Sequence, residues 1–292
     1  MSFILVFFGE LGVGTGMVEY YAGLAVSTNA LAAALMAPIW GSLADRYGRK
    51  PMMVRAAFAM IFTMGGMAFV PNVFWLLVLR VLNGVFTGYI PNATALIASQ
   101  VPKDKTGYAL GTLSTGAVAG NLIGPTLGGV LAEMFGVHTV FLLVGLLYAI
   151  VVILTVFYIR EDFVPIKKSD ALPVKEVFAQ VKDRKILAGL FVTSMVIIAA
   201  AQAVVPILTL YVRHLGQTDN LLFVAGFIIS LPGMASLATS GYLGKLGDRI
   251  GNHRLLLMAL TYSLLINVFC VFAENPFQLG LLRFLYGFGT GA

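Results

Sequence analysis

Charge is scarce in this chain. Lys, Arg, Asp and Glu supply 11% of its 292 residues, where a soluble domain carries about a quarter. With 59% hydrophobic residues and a mean hydropathy of +0.91, it lacks the polar surface that a water-soluble fold needs. An integral membrane protein is the expectation. Cysteine is nearly absent as well. Cys270 alone excludes an intrachain disulfide and a cysteine metal site, and its apolar setting suits a small core filler. His138, His214 and His253 lie in or near expected loops without metal spacing, so no metal is expected. No nucleophile, base and orienting group occur as a set and no cofactor fingerprint is present, which argues against an enzyme. Gly12-Val-Gly-Thr-Gly is followed by no basic residue and reads as a turn, not a phosphate loop. The N-terminus has neither a basic lead nor a small-residue cleavage site, so no signal peptide is read. Carboxylates inside the apolar runs are missing too: Glu10, Glu19, Glu133, Asp219 and Glu274 all fall at or near expected outer ends. Glu133 is the candidate proton carrier among them, with an ordinary interfacial acid as the alternative.

What is present is a series of long apolar runs. They are helix-sized, unlike the ten-residue alternating strands of an outer-membrane barrel. Full spans are expected near 21–41, 52–70, 74–99, 108–132, 139–159, 186–212, 221–243 and 254–273. An apolar scrap at 3–8 precedes them, and a further segment begins at Phe277. The fold class is therefore all-α and membrane-integral.

A charged turn occurs twice. Gly41, Leu43, Asp45, Arg46 and Gly48 match Gly244, Leu246, Asp248, Arg249 and Gly251 at a constant offset of 203 positions. The same offset pairs Leu79, Arg80, Leu82, Gly84, Thr87 and Gly88 with Leu282, Arg283, Leu285, Gly287, Thr290 and Gly291. A constant offset means internal duplication, and parallel repeats are a known transporter plan. Extending the repeat predicts that the first helix starts about 17 residues before Met1 and that roughly 72 residues with two helices follow Ala292. The expectation is twelve helices in two six-helix halves, about ten of them represented here. Residues 1–160 would form the first half, 161–185 a linker and 186–292 the second half.

Basic residues orient this scheme. Sixteen of the 19 Lys and Arg fall in alternate segments at 42–55, 101–107, 160–185 and 244–254, while the opposite loops hold only Arg213. The positive-inside rule places the basic segments in the cytoplasm of a multi-pass cell-membrane protein. The net charge of +6 reflects that topology, and no nucleic-acid partner is implied. In the linker, Val174, Val177, Phe178 and Val181 recur at helical spacing. They suit a short amphipathic helix on the inner leaflet or a solvated linker helix.

Two stretches within the spans carry candidate mechanism. Arg80 lies about 9 Å into its helix at 1.5 Å per residue, where an arginine costs on the order of 3 kcal/mol near a bilayer centre. It is expected to face the bundle interior, as is Arg283, with snorkelling to the headgroups as the alternative. From Gly116 to Gly129, Gly116, Gly120, Gly124 and Gly128 recur every four residues. Four mid-helix glycines would cost roughly 4 kcal/mol in water, whereas in a bilayer such a seam lets another helix approach. Pro125 should bend that helix by clashing with the Asn121 carbonyl. A rocking interface or static packing would each use such a face. Asn29, Asn121 and Gln202 are mid-span polar residues that could line a cavity or bond helix to helix.

These stretches together resemble the major facilitator superfamily. Gly41 to Lys50 looks like its motif A. Leu76, Arg80, Asn83 and Gly84 look like motif B, although Asn83 stands where glutamine is usual and Phe86 where glycine is usual. Gly120, Gly124, Pro125, Gly128 and Gly129 are similar to motif C, which marks the drug:proton antiporter branch. Pro91 to Pro102, with Gly107 to Ser114, resembles the PmrA-type multidrug exporters. The resemblance implies proton-coupled export of amphipathic, often cationic drugs by alternating access, with drugs, protons and the bilayer as partners. A monomer is expected, and no cofactor beyond the proton gradient. By the same resemblance, Asp45 would help close the cytoplasmic gate, with Arg46, Arg49 and Lys50 in its charge network. Gly244, Asp248 and Arg249 would be its second copy. Arg80, with Gly84 and Arg283, would act near the proton path, and the Gly-Pro stretch would hold the interface between halves. The second turn departs from the pattern, with Asn252 and His253 in place of Arg49 and Lys50. A metabolite or sugar carrier is the alternative within transport; a receptor or an inactive fragment is the alternative outside it.

Overall fold

Single glycines turn the chain where charged loops were expected. In this computed structural model, which describes residues 17–163, 184–205 and 207–290, α1 (Val18–Tyr47) and α2 (Arg49–Gly66) are separated only by Gly48, at φ 99°. Further on, α9 (Leu221–Ile250) and α10 (Asn252–Val271) are separated only by Gly251, at φ 91°. Both values lie where a Cβ is disfavoured. The expected loops 42–55 and 244–254 are thus mostly helix. Charged residues end an apolar run, but they do not end a helix whose last turn can protrude into water. Arg55, counted above with the loop, lies inside α2.

The expected span 74–99 is also not one helix. It divides into α3 (Val73–Phe86) and α4 (Tyr89–Gln100), with Thr87 extended and Gly88 at φ 129° between them. Pro91 accounts for the break, because a helical proline clashes with the carbonyl four residues before it, here Thr87. Next come α5 (Lys103–Phe135), which runs continuously through Pro125, and α6 (Val137–Tyr158). The expected span 186–212 is divided into α7 (Arg184–Val204) and α8 (Leu208–His214), and α11 (Pro276–Thr290) is the last helix described. Among the described residues, seven helices or helix pairs are long and apolar enough to cross a membrane, and an eighth counts if the bent α7–α8 pair is one span. Their large outward side chains are apolar, among them Leu31, Leu35, Phe58, Phe62, Leu146 and Ile153, as a lipid-facing surface requires. The amphipathic helix expected in the linker lies outside the described residues.

Contacts divide the chain into two compact units. Among the described residues, one holds 111–140 and 207–290; the other holds 17–110 together with 141–163 and 184–205.

The duplication extends to atomic detail. Helix boundaries Val18 and Leu221, Tyr47 and Ile250, Arg49 and Asn252, and Val73 and Pro276 each differ by the same 203 positions. In the first copy a Cβ at Gly84 would overlap the Asn29 carbonyl oxygen and sit 2.9 Å from Ala32 Cβ. In the second, a Cβ at Gly287 would overlap the Pro232 carbonyl oxygen and sit 2.7 Å from Ala235 Cβ. Asn29 and Pro232 are equivalent, as are Ala32 and Ala235. Each glycine therefore brings a helix pair, α1 with α3 or α9 with α11, to backbone contact.

Candidate functional site

In the first copy the close approach at Gly84 supports a polar chain beside Arg80. Asn29 on α1 donates its amide to the Arg80 carbonyl (3.0 Å) and to Asn83 Oδ1 (2.9 Å). Asn83 in turn donates to Thr63 Oγ1 on α2 at 3.1 Å. Arg80, Asn83 and Thr63 are buried, and the Arg80 Nε has no hydrogen-bond partner among the described residues. A buried guanidinium with an unsatisfied donor is costly, and three helices converge to hold it. Asn29 thus bonds helix to helix and abuts Arg80 through the backbone.

The second copy keeps the arginine and changes its surroundings. Arg283 is as buried as Arg80, and its Nε is likewise unpartnered among the described residues. Its guanidinium carbon lies 5.8 Å from the Tyr286 ring centroid, within cation–π range. Tyr286 stands where the first copy has Asn83, and Pro232 where it has Asn29. The amide chain of the first copy therefore has no equivalent donors here. Tyr262 instead donates to the Leu285 carbonyl at 3.0 Å, tying α10 to α11.

Toward Gly48, the α3–α4 break frees carbonyls that need donors. Trp40 Nε1 donates to the Val85 carbonyl, and Arg55 Nη2 donates to those of Phe86 (3.4 Å) and Thr87 (3.3 Å). The Arg55 guanidinium carbon lies 3.4 Å from the Trp40 ring centroid, a cation–π pair beside the freed carbonyls. The second copy has Leu243 and Met258 at these positions, so this clamp belongs to the first copy alone. A cavity of about 490 Å³ opens alongside, lined by Trp40, Asp45, Arg49, Thr87 and Asn92 among others.

At the turn itself, Arg49 Nη2 meets Asp45 Oδ1 at 3.3 Å, with both side chains partly exposed. Such a pair is worth at most about 1 kcal/mol, so it can open without unfolding the helix. Arg46 is exposed, and Lys50 Nζ donates to the Val156 carbonyl of α6 at 2.9 Å. The side chains of Asp248 and Arg249 lie outside the described residues. A residue not singled out in the sequence completes this end: Glu161, just beyond α6, accepts from the backbone amides of Arg49 (2.7 Å) and Lys50 (2.8 Å). Gln100, at the end of α4, donates to the Arg160 carbonyl (3.1 Å) and accepts from the Asp162 amide (2.8 Å) in the amide orientation that satisfies both.

In the other unit α5 packs on α9. A Cβ at Gly226 would overlap the Pro125 carbonyl oxygen, and one at Gly129 would lie 2.5 Å from the Leu222 carbonyl oxygen. Gly116, Gly120 and Gly124, by contrast, meet nothing within 4 Å. Residues four apart drift about 40° around a helix per step, so the glycine row leaves this contact face. Thr126 and Ser230 hydrogen-bond across the pair at 2.9 Å. Glu133 Oε2 accepts from the Leu222 amide in the first turn of α9 (3.3 Å), where the helix dipole favours a carboxylate. Asn121 and Gln202 are exposed on α5 and α7.

The Major Facilitator Superfamily profile matches residues 1–292. The chain is 60% identical over 292 residues, all of it and 73% of the relative, to the multi-drug resistance efflux pump PmrA of Streptococcus pneumoniae. It is 53% identical over 293 aligned positions to a PmrA homolog of Lactococcus lactis, covering 72% of that protein. In fold it is similar to the nucleoside transporter NupG, with a TM-score of 0.71 at 16% identity over 99% of this chain and 74% of that one.

Proposed function

The chain belongs to the major facilitator superfamily, a family of multi-pass membrane transporters, and from that premise we propose that it exports amphipathic, often cationic compounds in exchange for protons. The observation that carries the reading is 60% identity along the whole chain to a multidrug efflux pump. The Gly48 and Gly251 turns face the cytoplasm in this reading, which the distribution of basic residues supports. Substrate binds near mid-membrane between the repeats, and the repeats rock about it.

Within this scheme the Asp45–Arg49 pair is a gate contact weak enough to break in each cycle. Arg80 supplies a fixed positive charge whose partner exchanges with proton occupancy of the pathway. Asn29, itself bonded to Asn83, holds its backbone while that exchange takes place. The Pro125–Gly226 and Gly129–Leu222 approaches give α5 and α9 a smooth sliding face, as small residues do in bilayers.

The test is drug susceptibility in an efflux-deficient host. The intact protein should raise resistance to lipophilic cations, and Asp45→Asn should abolish most of that gain at unchanged membrane abundance. Resistance that the wild type does not raise, or that Asp45→Asn leaves intact, would sink the proposal.

A further inference from the structure

The first turn of α2 cannot cap itself. Its N-cap residue is Gly48, which has no side chain, and no local side chain caps the helix. Pro51, the third helical residue, has no amide hydrogen at all. That leaves the Arg49 and Lys50 amides as donors in need of an acceptor. Glu161 satisfies both, one with each carboxylate oxygen, from 112 and 111 residues away. Gly48 admits it: a Cβ there would lie 2.8 Å from Glu161 Oε2. The same short segment is bonded on its other side by Gln100 of α4. Around them lies a cavity of about 220 Å³, lined by Ala44, Asp45, Arg49, Gln100, Glu161 and Asp162 among others.

We propose that Glu161 is a positioning residue of the transport cycle, clasping the Gly48 turn to the end of α6 where the central linker begins. The proposal rests on the transport reading above and gives it a mechanical coupling. A carboxylate held by two amides at a helix N-terminus is a strong, charge-assisted contact. The Asp45–Arg49 pair beside it is weak and exposed. The turn therefore stays attached to α6 and the start of the linker while its gate pair opens and closes. Movement at the end of α6 is transmitted to Asp45 through Glu161.

The experiment uses the full-length protein carrying Cys270→Ser, with Ala44→Cys as a probe. Ala44 is 1% exposed and lines the Glu161 cavity. Labelling by a membrane-impermeant maleimide, added on the Gly48 side of inverted vesicles, is compared with dye transport. Glu161→Ala should raise the labelling rate about tenfold, the population shift expected when a helix cap is lost. Dye transport should lose about tenfold in maximal rate with KM within about twofold, because a conformational step and not binding is affected. Glu161→Gln keeps the volume and one acceptor, so it should fall between the wild type and Glu161→Ala. It also serves as the folded comparison if the alanine variant fails to insert. Wild-type labelling in both variants overturns the clasp, even if transport falls. A wild type that moves no dye refutes the transport reading instead, and labelling still decides on Glu161.

Discussion

Gly84→Ala is the sharpest perturbation of the repeated core. The added methyl would overlap the Asn29 carbonyl oxygen and lie 2.9 Å from Ala32 Cβ, against about 3.5–4.0 Å for an ordinary carbon contact. Helices α1 and α3 must therefore part by roughly 1 Å, an overpacking cost of about 1–3 kcal/mol. The separation also strains the Asn29 bonds to Arg80 and Asn83, now 3.0 and 2.9 Å, which adds about 1 kcal/mol. Helix propensity acts in the opposite direction by about 1 kcal/mol, leaving a net loss of about 1–3 kcal/mol. For a chain of this size that lowers the melting temperature by about 2–5 °C. Gly287→Ala should behave alike, with its methyl 2.7 Å from Ala235 Cβ. Gly111→Ala, with nothing within 4 Å, should be neutral or slightly stabilising. The assay is thermal unfolding of detergent-purified protein followed by size-exclusion fluorescence. Gly84→Ala melting with Gly111→Ala would refute the claim that this glycine sets the helix pair.

Other outcomes follow from the same contacts. Arg55→Met, which installs the residue that the second copy carries at position 258, leaves the Phe86 and Thr87 carbonyls without their donor. It should cost about 1–3 kcal/mol and speed hydrogen exchange around the α3–α4 break; wild-type exchange there would dismiss the clamp. Gly226→Ala drives a methyl into the Pro125 carbonyl and should reduce efflux while Gly189→Ala, with open space around it, does not; equal efflux would make the α5–α9 contact passive. Glu133→Gln removes a carboxylate from the first turn of α9 and should lower melting by about 1 kcal/mol equivalent. Unchanged melting would leave Glu133 without a structural role.

Much of this was legible because a duplication repeats its constraints. Glycines at 48 and 251, and at 84 and 287, recur since each answers a backbone requirement that no other residue meets, and the helix boundaries follow them at the same offset. Arg80 and Arg283 stood out because charge inside an apolar run is costly. The α3–α4 break was not legible: hydropathy runs evenly across residues 74–99, and only Pro91 with Gly88 marked it. Arg55 falls both in the basic segment 42–55 and in the expected span 52–70, so its charge alone does not say that it lies well inside a helix. Glu161 carries no local pattern, since its partners are amides more than a hundred residues earlier. The one available signal was negative: a glycine N-cap followed by proline leaves two donors that something remote must satisfy.

The central claim, drug export driven by protons, is tested most directly in proteoliposomes of the intact protein loaded at acid internal pH. A lipophilic cationic dye should accumulate inside as protons leave, accumulation should collapse when a protonophore dissipates the gradient, and Arg80→Ala should no longer respond to the gradient. Dye movement that ignores the pH gradient, or none at all from protein that melts like a folded sample, would contradict the account.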